Sequence, residues 1–283
     1  MRKIVGIIGV SLLLGACTTV QENSCNMKPH SVENVQQIFA TGKNLERTLN
    51  SLNARGNANV IVMGRSGQEL DKYNIQYSHA GFIVKEQGKW QVYHLLNECP
   101  TDKGGLYKEG LGDFVSGIFD KQPLTFGFAV PAPKVQQALA KMLQDSTARN
   151  RVFDANYSAV AHPFNLINQN SNGWLLEFYA QAEASAEGVN IRNREEAQRW
   201  LFEKGYVGQS LEASVIKQRL AAMFVGNVSL QGHEAKDRYQ GRLLINSGDS
   251  VLTYVAERSP KKACEQYRGA TQNGSFCEFA LQR

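Results

Sequence analysis

A pair of β-prone runs with a histidine on each constrains this chain more than any other stretch. Tyr77-Ser78-His79-Ala80-Gly81-Phe82-Ile83-Val84 and Trp90-Gln91-Val92-Tyr93-His94-Leu95-Leu96 are rich in aromatic and β-branched residues. Lys85 to Lys89, with Gly88 inside, is a turn-rich break between them. Runs of this kind across such a break predict a β-hairpin, with His79 and His94 as cross-strand neighbours.

Around the hairpin, strand and helix patterns interleave, which predicts an α+β fold with a largely antiparallel sheet. Val35 to Leu52 has helical spacing, broken near Gly42, and reads as a helix covering one face of the sheet. Ala58 to Arg65 and Leu124 to Val130 read as strands, with a loop from Ser66 to Asn74. The stretch after Leu96, with Gly104, Gly105, Gly110 and Gly112, reads as a long polar loop. Helices are predicted over Val135 to Leu143, from the Ser171 region through Ala184, from an Asn193 cap with Glu196 through Phe202, and over Ser210 to Phe224. Arg242 to Asn246 and Ser250 to Val255 flank Ser247-Gly248-Asp249 and read as a second hairpin in a β-rich tail.

Asn168-Gln169-Asn170-Ser171-Asn172-Gly173-Trp174 is a polar run that tips into a helical apolar pattern and leaves Ser171 near a helix start. A nucleophile, a base and a group orienting the base are the minimum for acyl transfer. Ser171, His79 and His94 are the candidates for these three roles. The helix start adds free N–H groups for an oxyanion. Asn170 and Asn172 are candidate amide donors into the cleft, and Tyr77 a candidate cleft wall. Against this, a serine at a helix start is a common cap, and the Trp174, Leu175 and Phe178 stripe reads as core. His162 reads as a loop residue, and His30 and His233 as solvated.

Ser78-His79-Ala80-Gly81-Phe82 at the head of a strand, a polar residue inside the next strand and a later helix opening with the nucleophile resemble the circularly permuted branch of the papain-like NlpC-type hydrolases. The resemblance spans roughly residues 35 to 225. The order His79, His94, nucleophile matches the permuted branch, since unpermuted members place the nucleophile first. The chain also resembles an uncharacterised family of bacterial exported lipoproteins within that superfamily. The resemblance implies a papain-like antiparallel sheet with packed helices and a hydrolase or acyltransferase cleft acting on an amide or ester of cell-wall peptide or lipid, without a cofactor. It departs at one position, where Ser171 stands in place of the superfamily's cysteine. A serine must lose its proton during attack, whereas a thiolate forms readily beside an imidazolium. Two readings therefore stay open: a working serine nucleophile, or an inactive cleft that binds a peptide or lipid in the envelope.

The N-terminus adds a location. Arg2 and Lys3 precede an apolar run, Ile4 to Leu14, too short to span a bilayer and ending in Leu14-Gly15-Ala16-Cys17, the pattern of an export signal. The ending resembles the bacterial lipoprotein box, with Cys17 acylated and anchoring the protein to a membrane. Thr18 rather than Asp after it resembles Gram-negative lipoproteins sorted to the outer membrane, facing the periplasm. The predicted organisation is a signal peptide over 1–16, acylated Cys17 and tether over 17–34, the papain-like domain over 35–225 and a β-rich extension packed on it over 226–283. Losing Arg2 and Lys3 with the signal lowers the formal net charge by two from +5 to +3, and no dense basic tract with interleaved aromatics occurs, which sets nucleic acid aside. An oxidising compartment makes Cys25, Cys99, Cys264 and Cys277 candidates for two disulfides. We expect Cys25–Cys99 and, around a short Gly- and Asn-containing loop, Cys264–Cys277. Without CxxC spacing, no metal site is expected.

Overall fold

The structure is a computed structural model and describes residues 31–56, 58–67, 70–99, 101–116, 125–259, 271–273 and 276–280. The signal segment, Cys17, Cys25, His30 and Cys264 lie outside these residues.

Burial with a period of two builds the centre of the molecule. In β1 (Val60–Arg65), Val60 and Val62 enter one apolar cluster while Ile61 and Met63 enter another, as successive side chains on a strand point to opposite faces. β1 pairs with β2 (His79–Glu86), β2 with β3 (Lys89–Asn97) and β3 with β4 (Gly104–Gly110), all antiparallel. On its other side β1 pairs with β5 (Thr125–Ala129), and β9 (Phe276–Ala280) and β8 (Thr271–Asn273) extend the sheet to the order β4-β3-β2-β1-β5-β9-β8. The β2–β3 hairpin turns through Gln87 and Gly88, both at positive φ (47° and 81°), the geometry of a tight type I′ turn.

Helices cover both faces. Leu45, Leu49 and Leu52 of α1 (Val32–Gly56) and Phe114 and Val115 of α2 (Leu111–Ser116) pack with Ile61, Met63, Ile83 and Val92. On the opposite face lies α5 (Ser171–Ala186), buried at every residue from Ser171 to Ala184. It packs among α3 (Pro133–Met142), which precedes α4 (Ser146–Arg151), and α6 (Arg194–Glu203) and α9 (Gly248–Glu257). A separate two-stranded sheet of β6 (Gln209–Glu212) and β7 (Arg242–Ile245) is joined by α7 (Val215–Phe224) and α8 (Ala235–Tyr239).

Four expectations are corrected. α1 begins at Val32, inside the predicted tether, and runs unbroken through Gly42. A Cβ at Gly42 would meet the Gly112 backbone only at an ordinary contact distance of 3.9 Å, so this glycine neither breaks the helix nor is demanded by its packing. The glycine-rich stretch after Leu96 is an edge strand, β4. Ser210 to Glu212 is strand, not helix, and α7 starts only after the Ser214 cap.

The predicted hairpin over 242–255 is β7 followed by α9. Ser247 and Ser250 form a reciprocal capping box, and Val251, Leu252, Tyr254 and Val255 then bury one helical face. Among the described residues after 225, helix and strand both occur. α9 belongs to the core, and β9 continues the main sheet.

Cys99 and Cys277 are both disulfide-bonded. Cys277 is on β9 and Cys99 follows β3, four strand spacings or roughly 19 Å apart across the sheet, far beyond disulfide reach. Each is therefore bonded to a different cysteine. The predicted partners Cys25 and Cys264 lie outside the described residues.

Candidate active site

Three adjacent strands carry one line of polar side chains. The register Phe82↔Tyr93 places Gly81 opposite His94, so His94 is the diagonal neighbour of His79. The register Val92↔Glu109 and His94↔Tyr107 makes Glu109 the diagonal neighbour of His94. His79 Nε2 lies 2.9 Å from His94 Nδ1, and His94 Nε2 lies 3.0 Å from Glu109 Oε2. At the other end, His79 Nδ1 lies 3.2 Å from the Ser171 Oγ at the first residue of α5. The predicted trio is assembled, and Glu109 extends it to four.

Phe114 of α2 lies over this row, its ring centroid 6.0 Å from that of His79 and 5.8 Å from that of His94. A Cβ at Gly81 would press on Val92 at 3.0 Å and on Phe114 at 3.4 Å, so glycine there admits the ring. His79, His94 and Ser171 are all buried, and only Glu109 is partly exposed.

The carboxylate sets the polarity of the row. The hydrogen bond from His94 lowers the Glu109 pKa, against the opposing effect of burial, so at neutral pH Glu109 is an ion that only accepts. His94 then donates through Nε2. With its Nδ1 accepting, His79 donates through Nε2 and turns a lone pair at Nδ1 toward the Ser171 hydroxyl. Burial, then the charge of Arg65 and the neighbouring His94, hold His79 well below the usual histidine range, so His79 rests neutral and able to take a proton. Arg65, opposite His79 on β1, keeps its charge at neutral pH although burial lowers its pKa to about 10.

The first turn of α5 is anchored by asparagines. Asn170 is the N-cap: its side chain accepts from Gly173 N–H at 2.7 Å and donates to Asn246 O and Ala159 O. Asn172 accepts from Ala80 N–H and donates to Ser78 O and Asn246 O. Both line the cavity, yet both amides are committed to holding β2, α5 and β7 together, so neither is an oxyanion donor. Gly173 and Trp174 N–H are bonded to Asn170, whereas those of Ser171 and Asn172 meet no acceptor among the described residues. Those two N–H groups are the available donors at this helix start.

A buried ionic cluster fixes what precedes the helix. Arg194 donates to Glu177 and Asp154 and to the carbonyls of Asn165, Leu166 and Asn168, and Gln169 and Gln198 complete the Glu177 carboxylate. Tyr77, predicted to line the cleft, is instead fully buried in the core. Its slot is bounded by Gly64, Gly127 and Gly248, where added Cβ atoms would come within 3.1, 2.8 and 2.5 Å of Tyr77 atoms. His233, predicted to be solvated, is buried, with Nε2 2.6 Å from Val160 O and its ring edge-on to His162.

The row opens into a cavity of about 570 Å³. Ser78, His79, Tyr157, Asn170, Ser171 and Asn172 form its wall at the row, with Arg65 beside them, and residues of β6, α7 and β7, together with loop residues such as Leu70, Val160 and Leu230, form the rest. Sequence reasoning missed Glu109, Arg65 and Tyr157. Burial raises the Tyr157 phenol, partly offset by its interaction with Ser171, and both side chains line the cavity. Among the described residues no group of three or more His, Cys, Asp or Glu side chains is placed to hold a metal ion, and no helix is long and apolar enough to cross a membrane.

The family DUF2145, described as an uncharacterized protein conserved in bacteria, matches residues 51–255, a span that holds all four members of the row. No curated protein and no solved structure matches the chain.

Proposed function

We propose that this chain, which belongs to the DUF2145 family of bacterial proteins, is an acyl-transfer enzyme, a hydrolase or acyltransferase of amides or esters with Ser171 as nucleophile. The observation that carries the reading is the 3.2 Å approach of Ser171 Oγ to a buried, neutral His79 backed by His94 and Glu109. In this reaction Ser171 Oγ bonds to the acyl carbon as its proton passes to His79 Nδ1. The carbonyl electrons move onto oxygen, where the Ser171 and Asn172 N–H groups receive the charge. The leaving group departs with the proton from His79, and water or an acceptor alcohol or amine, deprotonated by His79, releases the acyl group. His94 and Glu109 hold the tautomer and stabilise the transient imidazolium.

The order of these residues, the antiparallel sheet and the helix-mounted nucleophile support a permuted papain-like relation, with serine in the cysteine position. With the lipoprotein box at Cys17, they support an acylated protein on the periplasmic side of the envelope. The experiment is covalent labelling of Ser171 by a fluorophosphonate, located by peptide mapping. Labelling lost in His79→Ala is the expected result. A wild type that stays unlabelled would leave the cleft as a binding site for peptide or lipid.

A further inference from the structure

Resting on the acyl-transfer reading of Ser171, we propose that the acyl group this site accepts is a long apolar chain, held in the trough between the catalytic row and the β6–β7 sheet. The cavity volume of about 570 Å³ is ample for a small-molecule ligand. Ile75, Leu211, Leu243 and Ile245 form a cluster of their own, apart from the two clusters flanking the main sheet, and all four line the cavity. Leu70, Tyr73, Val160 and Leu230 pack on the same cluster and line it too.

Three polar side chains at this end are already engaged. Gln218 donates to Ala213 O and Arg238 O, Asn227 donates to Asn97, and Ser247 donates to Gln209. A polar peptide entering here would leave water and find few replacement hydrogen bonds, which is costly, whereas a methylene chain loses nothing. Among the described residues the charged ones lining the cavity are Arg65 and Lys217, with no carboxylate among them. A zwitterionic or multiply charged peptide therefore finds no acidic partner for its cationic groups among the described residues, and an acyl chain needs none.

The test is an ester series from p-nitrophenyl acetate to laurate, each below its micelle-forming concentration, with binding of dansylaminoundecanoate measured in parallel. For the wild type, kcat/KM should rise about fourfold for each methylene buried, the factor equivalent to ~0.8 kcal/mol, until the trough is full. Ala221→Trp, on the α7 wall of the cavity, should move the optimum to shorter acyl groups and weaken binding of the dansyl probe severalfold. Ser171→Ala should retain probe binding. A flat or falling series in the wild type, with no saturable probe binding, overturns the trough inference even if acetate is hydrolysed. Saturable probe binding weakened by Ala221→Trp, with no ester hydrolysed, keeps the trough and removes the acyl-transfer reading instead. The wild-type series decides the matter if the tryptophan variant fails to fold.

Discussion

Glu109→Gln isolates the charge at the end of the row. The amide oxygen can still accept from His94 Nε2, so the hydrogen bond at 3.0 Å survives while the negative charge is lost. Along the row, Glu109 lies no more than about 8 Å from His79, and at an effective dielectric near 20 its attraction for an imidazolium there is ~2 kcal/mol. That attraction favours the protonated ring formed as Ser171 attacks. Its loss should slow attack roughly 30-fold, since ~1.4 kcal/mol is a factor of ten. The same term favours protonated His79 at rest. Removing it should move the acid limb of the pH–rate profile downward by about 1.5 pH units, from a midpoint already below the usual histidine value. The assay is the second-order rate of Ser171 phosphonylation by a fluorophosphonate, followed by intact mass from pH 4 to 9. It needs no knowledge of the substrate. A variant within about threefold of wild type, with its acid limb unmoved, would refute the coupling of Glu109 to the base.

The hairpin and the helix start were legible because their signals are local. Gly88 sits inside a polar break between two β-prone runs, and Asn170 precedes a helical apolar pattern, so each element declares itself within a few residues. Glu109 declares nothing: Gly104-Gly105-Leu106-Tyr107-Lys108-Glu109-Gly110 has neither β-branched residues nor strong alternation. It becomes a strand by pairing residue for residue with β3 from Gln91 to Asn97. Tyr77 shows the same limit, since its slot is made by three glycines from β1, β5 and α9. The tail failed for a different reason. Ser247-Gly248-Asp249 between two apolar runs serves equally as a turn and as a helix cap. The choice is made by Gly248 N–H bonding Tyr77 O and Asp249 accepting from the Gln76 and Tyr77 N–H groups, 172 residues away for Tyr77. Tertiary contact outweighs a local preference shared by two structures.

Burial holds His79, His162 and His233 below the usual histidine pKa, so below about pH 6.5 the unfolded chain binds protons that the native one refuses. Stability should be fully present above that pH and fall as pH drops through it, by up to ~1.4 kcal/mol per pH unit for each histidine still neutral; a Tm constant from pH 7 to 5 would contradict this. Arg194→Met leaves Glu177 buried without its cation and should cost ~3–5 kcal/mol, seen as a Tm lower by roughly 10 °C. Non-reducing peptide mapping of exported protein should recover Cys25 with Cys99 and Cys264 with Cys277, and recovery of four free thiols would refute both pairs and the oxidising compartment. Ser171→Cys sets a thiol where Ser171 Oγ now lies 3.2 Å from His79 Nδ1, at the start of a helix of 16 residues. A neighbouring base and a helix N-terminus both favour thiolate, while burial opposes it. If the row is poised to accept a proton, the first two effects prevail, and iodoacetamide should alkylate the variant near neutral pH much faster than a free cysteine, with most of the gain lost in the His79→Ala double variant. Slow alkylation alone could mean that burial blocks the reagent, so the thiolate should also be read by its ultraviolet absorbance during a pH titration. An ordinary thiol pKa in that titration would mean that His79 is no base toward position 171, and the serine would then be only the first residue of a well-capped helix.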